Sequence, residues 1–217
     1  CLEIGAGRGT KTYVMMCQAK RAGYEHQHTA LDLHDRKCDQ NLARLHKAGI
    51  TGVRTVSGDA CELNEVLTSF DAMLGEPALF DTVFIDAPCS GTGTMRRHPE
   101  IPWRLTENDV TTELPKLQLT MLKEAAARVA AGGELIYATC SVFDEENTQV
   151  VDAFLASPEG VGFTVAPLSE AQILQLPEYD HVKSLVTLRQ NPRGLFQSVP
   201  VNADSYDGHF CARLIHK

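Results

Sequence analysis

The most restrictive feature of this sequence is a regular alternation of short strand patterns with helical patterns. Each of the first four strand patterns carries an acid at or just after its end, namely Glu3, Asp32, Asp59 and Asp86. Helical patterns separate these strands, so we expect the strands to run parallel in one α/β sheet. Such sheets bind ligands beyond the carboxyl ends of their strands. The sequence therefore predicts an α/β fold with an acidic ligand site at that edge.

Length and charge set broad limits. The 217 residues, 43% of them hydrophobic, suffice for one core, so we expect a single domain over residues 1–217. A net charge of −8 excludes a protein coated in basic surface, so nucleic acid could be met only by a local patch or by another segment. No apolar stretch reaches membrane-spanning length, and we expect a soluble, cytoplasmic protein. The chain begins at Cys1, near the end of a strand and without Met, which indicates a domain truncated at its N-terminus.

A glycine-rich turn follows the first strand and precedes a helix that we expect to reach about Arg21. We predict that this turn contacts a cofactor through Gly5, Ala6, Gly7, Arg8, Gly9, Thr10 and Lys11. Glycines let backbone N–H groups approach a ligand at a helix N-terminus. Thr10 stands where a dinucleotide fingerprint would continue, so NAD fits poorly. A tight turn without a ligand is the alternative.

Two further acids support a nucleoside-bearing cofactor. Asp32 follows the glycine turn by about twenty residues, where a carboxylate can accept both hydroxyls of a ribose. Asp59 follows the third strand, and we place it near the adenine. Considered by itself, Asp32 fits a solvated residue of a turn as well as it fits a cofactor ligand. The repetition of acids at successive strand ends favours the cofactor.

Two thiols stand at the ends of later strands. Residues 86–93 read Asp-Ala-Pro-Cys-Ser-Gly-Thr-Gly and place Cys89 after one apolar run, while Cys140 follows another in Thr-Cys-Ser. Either cysteine alone reads as a small buried hydrophobe. As a pair beside Pro88 and Thr139, they indicate chemistry. The seven cysteines form no C-x-x-C pair, so we expect no metal site and a reducing compartment.

A small basic cluster interrupts this acidic chain. Arg96, Arg97 and Arg104 lie close in sequence to Trp103, the only tryptophan. Arginines bind phosphates, and an indole or guanidinium plane can stack on a base. We therefore predict RNA contact through these four residues. A solvated loop with a tryptophan anchor is the alternative.

The remaining elements follow from periodicity and caps. Thr106 and Asp109 predict a capping box, and a helical face over residues 114–129 is expected to close at Gly132-Gly133. Residues 134–138 read as the fifth strand, and a helix is expected to begin at Asp144 with Glu145 and Glu146 in its first turn. Residues 163–168 and 210–215 read as the last two strands. Residues 169–208 receive no role.

Taken together, the motifs resemble the Sun/Nop family of RNA cytosine-5 methyltransferases. The resemblance rests on residues 86–93, the Arg-Arg-His-Pro-Glu that starts at Arg96, the Thr-Cys-Ser around Cys140, Glu146-Asn147 and residues 207–214. It implies a Rossmann-like, mostly parallel seven-stranded sheet of a class I S-adenosylmethionine-dependent methyltransferase, with the last strand antiparallel. The family's glycine turn usually reads Ala-Ala-Pro-Gly-Gly-Lys-Thr. This chain has Ala-Gly-Arg-Gly-Thr-Lys-Thr instead, and Glu3 in place of aspartate.

The resemblance also implies an activity and roles. It implies methyl transfer from S-adenosylmethionine to carbon 5 of an RNA cytosine, with ribosomal RNA favoured over transfer RNA. Cys140 would add to carbon 6, Cys89 would assist release, and Asp86 would contact the base and the cofactor. Carbon 5 of cytosine is a poor nucleophile by itself. Addition of a thiolate to carbon 6 would turn the ring into an enamine that can attack the methyl group, which explains the need for a nucleophilic cysteine. We expect an RNA partner, no membrane, no metal and a monomer.

Other function classes predict different features. An amino-group methyltransferase would carry Asn/Asp-Pro-Pro-aromatic in place of Asp86-Ala87-Pro88-Cys89, and an NAD(P)-dependent oxidoreductase would carry the third glycine. A non-catalytic RNA-binding module would not need both cysteines. A methyltransferase acting on another substrate and an inactive RNA-binding relative stay open as alternatives.

Overall fold

The computed structural model describes residues 1–201 and 206–217 of the chain, which alternate between strands and helices. The strands are β1 Leu2–Ile4, β2 His28–Asp32, β3 Val53–Ser57, β4 Phe80–Asp86, β5 Val129–Thr139, β6 Phe163–Ala166, β7 Phe196–Ser198 and β8 His209–His216. The α-helices are α1 Thr10–Arg21, α2 Asp35–Lys47, α3 Leu63–Val66, α4 Thr68–Leu74, α5 Ile101–Arg104, α6 Leu114–Ala126, α7 Thr148–Leu155 and α8 Asp180–Arg189.

All of these strands join one sheet in the order β3-β2-β1-β4-β5-β8-β6, with β7 paired to β8 as well. The pairs among β1 to β5 are parallel, and β8 runs antiparallel to β5, β6 and β7. The predicted fold class is confirmed, including the antiparallel last strand. The short strand β7 adds to the seven predicted strands and lies in residues 169–208, for which no role was predicted.

The strand order reverses direction between β1 and β4, and this fixes where a ligand can bind. The register aligns Ile4 with Leu31 on one side and with Ile85 on the other, so these strands end at the same level. Loops after β1 and β4 leave toward opposite sides at this point, which opens a crevice. The acids predicted at strand ends therefore meet at one edge.

Apolar side chains on one face of the sheet form the centre of the core. Leu2, Ile4, Val83, Ile85 and Leu135 are fully buried. Helices cover both faces because each parallel connection crosses the sheet. The fully buried Phe154 of α7 and Leu122 of α6 belong to the same core. The strands that carry the strand-end side chains are thus anchored in a packed interior.

Two predicted helix boundaries are wrong, each for a local reason. Helix α6 ends at Ala126, not at Gly132-Gly133, because Phe80 N–H donates to the carbonyl of Arg128 and starts strand pairing there. The two glycines lie inside β5, beside a register shift opposite Phe80 and Thr82, and Gly132 has φ +75°. A glycine pair can mark a bulge as well as a helix end.

The other boundary concerns α7, which begins at Thr148 and not at Asp144. Glu146 and Asn147 precede it, and their side chains are fully buried against the loops that follow β4 and β5. Hydrogen bonds to these loops hold Asn147 at φ −113° and ψ −97°, outside the helical region. Glu146 is therefore a buried residue of a loop and not a helix-dipole partner.

Other local predictions are confirmed. Thr106 N–H and Oγ1 donate to Asp109, whose N–H donates back to Thr106 Oγ1, so the capping box forms. Residues 169–208 contain α8 and β7, and residues 202–205 of that segment lie outside the described residues. Across the part of the chain that the structure describes, no helix is long and apolar enough to cross a membrane.

Candidate active site

A cavity of about 380 Å³ opens at the carboxyl edge of β1, β2, β3 and β4. The predicted residues Gly5, Asp32, Asp59 and Asp86 all line it. Its size falls within the range of small-molecule sites. The topology thus brings Gly5 and three acids that are distant in sequence to a single cavity at the sheet's switch point.

The glycine turn passes close to β4. Gly5 has φ +80°, and a Cβ there would overlap the carbonyl oxygen of Asp86, so any larger residue is excluded. Lys11, in the first turn of α1, forms an ion pair with the Asp86 carboxylate. The other predicted residues of the turn do not line the cavity: Arg8 is exposed, and Thr10 Oγ1 accepts a hydrogen bond from Arg44 at 2.6 Å. Gly5 is therefore the part of the turn that lines the cavity.

Asp32 is buried and held on both carboxylate oxygens. Oδ2 accepts from Gly7 N–H at 2.9 Å, and Oδ1 accepts from His34 N–H at 3.1 Å. Lys37 Nζ lies 3.4 Å from Oδ1. A carboxylate has about four acceptor positions, so positions remain for a further donor such as a hydroxyl. Asp32 thereby links the glycine turn to the far wall of the cavity.

Asp59 and Glu3 differ in what their carboxyl groups reach. Asp59 caps a short 3-10 helix by accepting from Cys61 N–H at 2.8 Å, and it lines the cavity. Glu3 instead accepts hydrogen bonds from Thr12 and His28 inside the protein. The acid of β1 is thus directed away from the cavity, because alternate residues of a strand point to opposite faces.

The two thiols meet beside this cavity. Cys89 Sγ and Cys140 Sγ are 3.2 Å apart, at the carboxyl ends of the adjacent parallel strands β4 and β5. The hydrogen bond from Cys89 lowers the pKa of the Cys140 thiol, and nearby Lys11 lowers it further, against the opposing effects of burial and Asp86. The same hydrogen bond, together with burial, raises the pKa of Cys89 far above its ordinary value. Of the two thiols, Cys140 is therefore the more acidic and Cys89 the more basic.

Glu146 connects the loops that carry these thiols. Its Oε1 accepts from Ser90 N–H at 2.8 Å and from Gln118 Nε2 at 3.0 Å, and its Oε2 accepts from the hydroxyl of Ser141. Ser90 directly follows Cys89, and Ser141 directly follows Cys140. One fully buried carboxyl group thus ties together the residues next to both thiols.

Asn147 braces the same loop from its other side. Its Oδ1 accepts from Thr139 Oγ1 at 2.6 Å, and its Nδ2 donates to the carbonyl of Ser141 at 3.0 Å. Thr139 and Ser141 flank Cys140, so the backbone on both sides of that thiol is fixed. We name Glu146 and Asn147 together the loop brace.

A second cavity, of about 340 Å³, lies on the other side of the Pro88-Cys89 segment. Cys89, Ser90 and Arg104 line it, together with residues of the α5–α6 region. Pro88 belongs to the first cavity and Cys89 to the second. Cys89 therefore faces the second cavity, while its neighbour Pro88 faces the first.

The basic cluster lies beside the second cavity, and its members differ in how they are held. Arg97 pairs with Asp207 at 2.6 Å and Arg96 with the same carboxylate at 3.7 Å. Arg104 lies 3.9 Å from Glu100. The Trp103 side chain is 89% exposed. The cluster thus presents guanidinium groups and an exposed indole on the surface, and Arg104 lines the second cavity.

Several residues of this site escaped the sequence reasoning. His34, Lys37 and Gln118 carry no local motif, and only the fold brings them to Asp32 or to Glu146. The Glu-Asn pair at 146–147 was visible, but acids near a helix start indicated a dipole interaction. A signal was present there: two polar residues directly before an apolar helix and six residues after a thiol.

Comparison with known proteins relates this chain to a family of methyltransferases. A family model described as 16S rRNA methyltransferase RsmB/F matches residues 1–215. The ribosomal RNA small subunit methyltransferase B of Salmonella arizonae is 32% identical over 217 residues, which are 100% of this chain and 42% of that protein.

Two solved structures share the fold. A protein called PH0851 is 27% identical with a TM-score of 0.74, over 98% of this chain and 42% of that chain. NSun6 from Pyrococcus horikoshii, solved with SFG, is 19% identical with a TM-score of 0.73, over 99% of this chain and 47% of that chain. The chain spans less than half the length of these three proteins.

Proposed function

The chain belongs to the RsmB/F family of 16S rRNA methyltransferases, and from that membership we propose that it methylates carbon 5 of a cytosine in ribosomal RNA with S-adenosylmethionine as methyl donor. The observation that carries the cytosine-5 chemistry is the pair of thiols 3.2 Å apart at the end of adjacent strands. The fold alone would support methyl transfer to many acceptors. The paired thiols supply the nucleophile and the base that methylation at carbon 5 of a cytosine needs.

The first cavity fits the cofactor by the chemistry of its donors. Asp32 retains acceptor positions for ribose hydroxyls, and Asp59 offers a carboxylate to an adenine amino group. Gly5 and Asp86 would contact the methionine half. The three carboxylates suit a molecule that carries a sulfonium and an ammonium charge. S-adenosylmethionine would supply the electrophilic methyl group there.

The proposed thiol chemistry rests on Cys140 being the more acidic thiol of the pair. The Cys140 thiolate adds to carbon 6 of the cytosine, forming a sulfur–carbon bond and moving the electrons of the 5,6 double bond to carbon 5. Carbon 5 would then accept the methyl group of S-adenosylmethionine, whose methyl–sulfur bond would break and leave S-adenosylhomocysteine. Loss of the proton from carbon 5 and cleavage of the sulfur–carbon bond restore the double bond and free Cys140. These steps balance without a further reactant.

Addition also changes the second thiol. The hydrogen bond to Cys140 is the largest cause of the raised pKa of Cys89. Once the Cys140 sulfur is a neutral thioether, that cause is gone and the pKa of Cys89 falls. Cys89 then loses its own proton to solvent, and the resulting thiolate is the base that takes the proton from carbon 5. The pair thus acts in sequence, first nucleophile and then base.

RNA would approach from the side of the second cavity. Arg104 and Cys89 line that cavity together, and Trp103, next to Arg104 in the chain, has an exposed side chain. The cytosine must leave any stack to reach the thiols, which favours single-stranded or flipped bases. Reduced thiols also fit the cytoplasmic compartment expected for the chain.

Replacement of each thiol tests this proposal. With an RNA that contains the target cytosine and with S-adenosylmethionine, Cys140→Ala abolishes both methylation and any covalent RNA adduct. Cys89→Ala still adds and transfers the methyl but cannot release, so a protein–RNA conjugate accumulates on denaturing gels. Cys17→Ala, at an exposed thiol of α1, serves as the control and releases product normally.

Two outcomes would contradict the proposal. A stable conjugate with Cys140→Ala and none with Cys89→Ala reverses the two roles. Absence of a conjugate from both variants, with both folded by circular dichroism, supports an inactive RNA-binding relative or another methyl acceptor.

A further inference from the structure

A second group of reactive side chains lies at the opposite edge of the sheet, away from both cavities of the candidate active site. Cys1 immediately precedes β1, and His26 and His28 lie just before and at the start of β2. The Cys1 Sγ and one ring nitrogen of each histidine all lie within 4.8 Å of one another. Because β1 and β2 are parallel neighbours, their amino ends bring these residues together.

The hydrogen bonds of His28 orient one of its nitrogens toward the group. His28 is buried, and its Nε2 lies 2.8 Å from Glu3 Oε2. Its Nδ1 lies 3.0 Å from His26 Nε2. With the proton on Nε2, His28 donates to the carboxylate and turns the lone pair of Nδ1 toward His26. A carboxylate behind an imidazole is the usual outer partner of a metal-bound histidine.

The buried carboxylate also requires a positive charge. Glu3 is fully buried, and its Oε1 has no hydrogen-bond partner among the described residues. In the described part of the chain, its single ion-pair partner is His28. A buried carboxylate is stable only when charge and hydrogen bonds compensate for lost water. A cation held beyond His28 supplies that compensation through the imidazole.

An open cavity gives access to this position. It has a volume of about 940 Å³ and is lined by Cys1 and His26 among others. A small ion can enter from this side, and water can occupy a coordination position that the protein leaves open.

We propose that Cys1, His26 and His28 bind a zinc ion, with a water molecule from the cavity as the fourth ligand. One thiolate and two imidazoles suit zinc in tetrahedral geometry, and small side-chain movements bring their donor atoms to the zinc bond lengths of roughly 2.0–2.3 Å. The ion ties the start of β1 to the segment that enters β2. The absence of C-x-x-C spacing predicted no metal, but these ligands come from the amino ends of two strands that only the fold brings together.

The test measures zinc binding in a background that removes the other thiol pair. The chain carries Cys89→Ser and Cys140→Ser, and a short peptide precedes Cys1 so that its amino group lies in a peptide bond. Calorimetry with Zn²⁺ gives one site per chain. At a hundredfold excess over the dissociation constant, the melting temperature rises by about 5–10 °C. Co²⁺ in place of Zn²⁺ gives a thiolate-to-metal absorption band.

Two variants and two controls decide the result. Cys1→Ser removes the cobalt–thiolate band, and His26→Gln lowers zinc affinity at least tenfold while the pair of His28 and Glu3 stays intact. The exposed residues Cys17 and His46 serve as matched controls, and Cys17→Ser and His46→Gln leave binding unchanged. Lack of stoichiometric zinc binding in the background chain overturns the proposal and leaves the hydrogen bond from His28 as the contact that supports Glu3. Binding that survives both Cys1→Ser and His26→Gln overturns it equally.

Discussion

The Cys140 thiol is the more acidic of the active-site pair because Cys89 donates a hydrogen bond to it, which lowers the Cys140 pKa. Burial alone would have the opposite effect, since it disfavours the charged form. The direction of the shift therefore depends on one neighbour. Removal of that neighbour must raise the pKa of Cys140.

This gives a prediction on reactivity. In Cys89→Ala the Cys140 thiolate loses its donor, so the pH midpoint for alkylation of Cys140 by iodoacetamide moves upward. Mass spectrometry of the peptide that contains Cys140 measures the rate at each pH. Cys17→Ala is the control and leaves the midpoint in place. An unchanged or lower midpoint in Cys89→Ala means that the hydrogen bond does not set the acidity.

Asp32 carries a second prediction at the same scale. Asp32→Ala removes an acceptor for a ribose hydroxyl and the anchor of Gly7 N–H. Loss of a charge-assisted hydrogen bond costs about 1.5–3 kcal/mol, so affinity for S-adenosylmethionine falls roughly ten- to a hundredfold. Calorimetry measures it, with exposed Asp35→Ala as the control. Equal affinity in Asp32→Ala and the parent would place the ribose elsewhere.

At the scale of elements, the loops after β4 and β5 are joined by the loop brace. Glu146 serves both loops at once, since its partners follow Cys89 and Cys140. The spacing of the thiols is thus a property of two loops held together and not of either loop alone.

The loop brace yields a prediction that separates positioning from stability. Glu146→Ala removes an acceptor from the buried donors of Ser90, Gln118 and Ser141, and each buried donor left unsatisfied costs about 1–3 kcal/mol. We therefore expect the free energy of unfolding to fall by roughly 3 kcal/mol or more in urea titration. Glu146→Gln keeps an acceptor for Ser90, so it recovers most of that stability.

Activity distinguishes the two variants further. In Glu146→Gln we expect a lower turnover rate with little change in the substrate concentration at half-maximal rate, because the thiol spacing changes while the RNA-binding residues stay in place. Glu145→Gln, at a partly exposed neighbouring position, is the control. Full turnover in Glu146→Gln would limit the brace to a structural role.

At the scale of the whole molecule, a net charge of −8 surrounds a small basic cluster. RNA binding is then a balance between repulsion by most of the surface and attraction at one rim. Ion pairs with Asp207 and Glu100 partly neutralise the positive charge of the cluster. We expect the chain to hold RNA weakly and in a strongly salt-dependent way.

Replacement of the cluster tests this expectation. The triple change of Arg96, Arg97 and Arg104 to Ala weakens RNA binding at low salt and reduces the slope of log affinity against log salt. The reduction is up to about 0.7 for each phosphate of a single strand that these arginines neutralise. Fluorescence anisotropy over a salt series measures both quantities. A matched triple change of the exposed Lys20, Lys47 and Lys217 keeps the slope. RNA binding that is tight at high salt and that neither triple replacement weakens contradicts this assignment.

The sequence by itself determined the fold class and the edge at which the site lies. Apolar periodicity specifies buried strands, and strands alternating with helices allow few arrangements, so Asp32, Asp59 and Asp86 were placed at one edge from local patterns alone. The short motifs around Cys89 and Cys140 likewise carried enough information to pair them. These features are local, and local patterns are what a sequence displays.

Only the tertiary structure decided which side chains face one another across sequence-distant elements. It directed Glu3 away from the cavity toward His28, made Glu146 a buried link between two loops, and brought Cys1 to His26 and His28. Each of these arrangements depends on the register of neighbouring strands and on the burial of a polar group. A buried polar group must find its partner wherever the fold supplies one, and no local pattern encodes that choice.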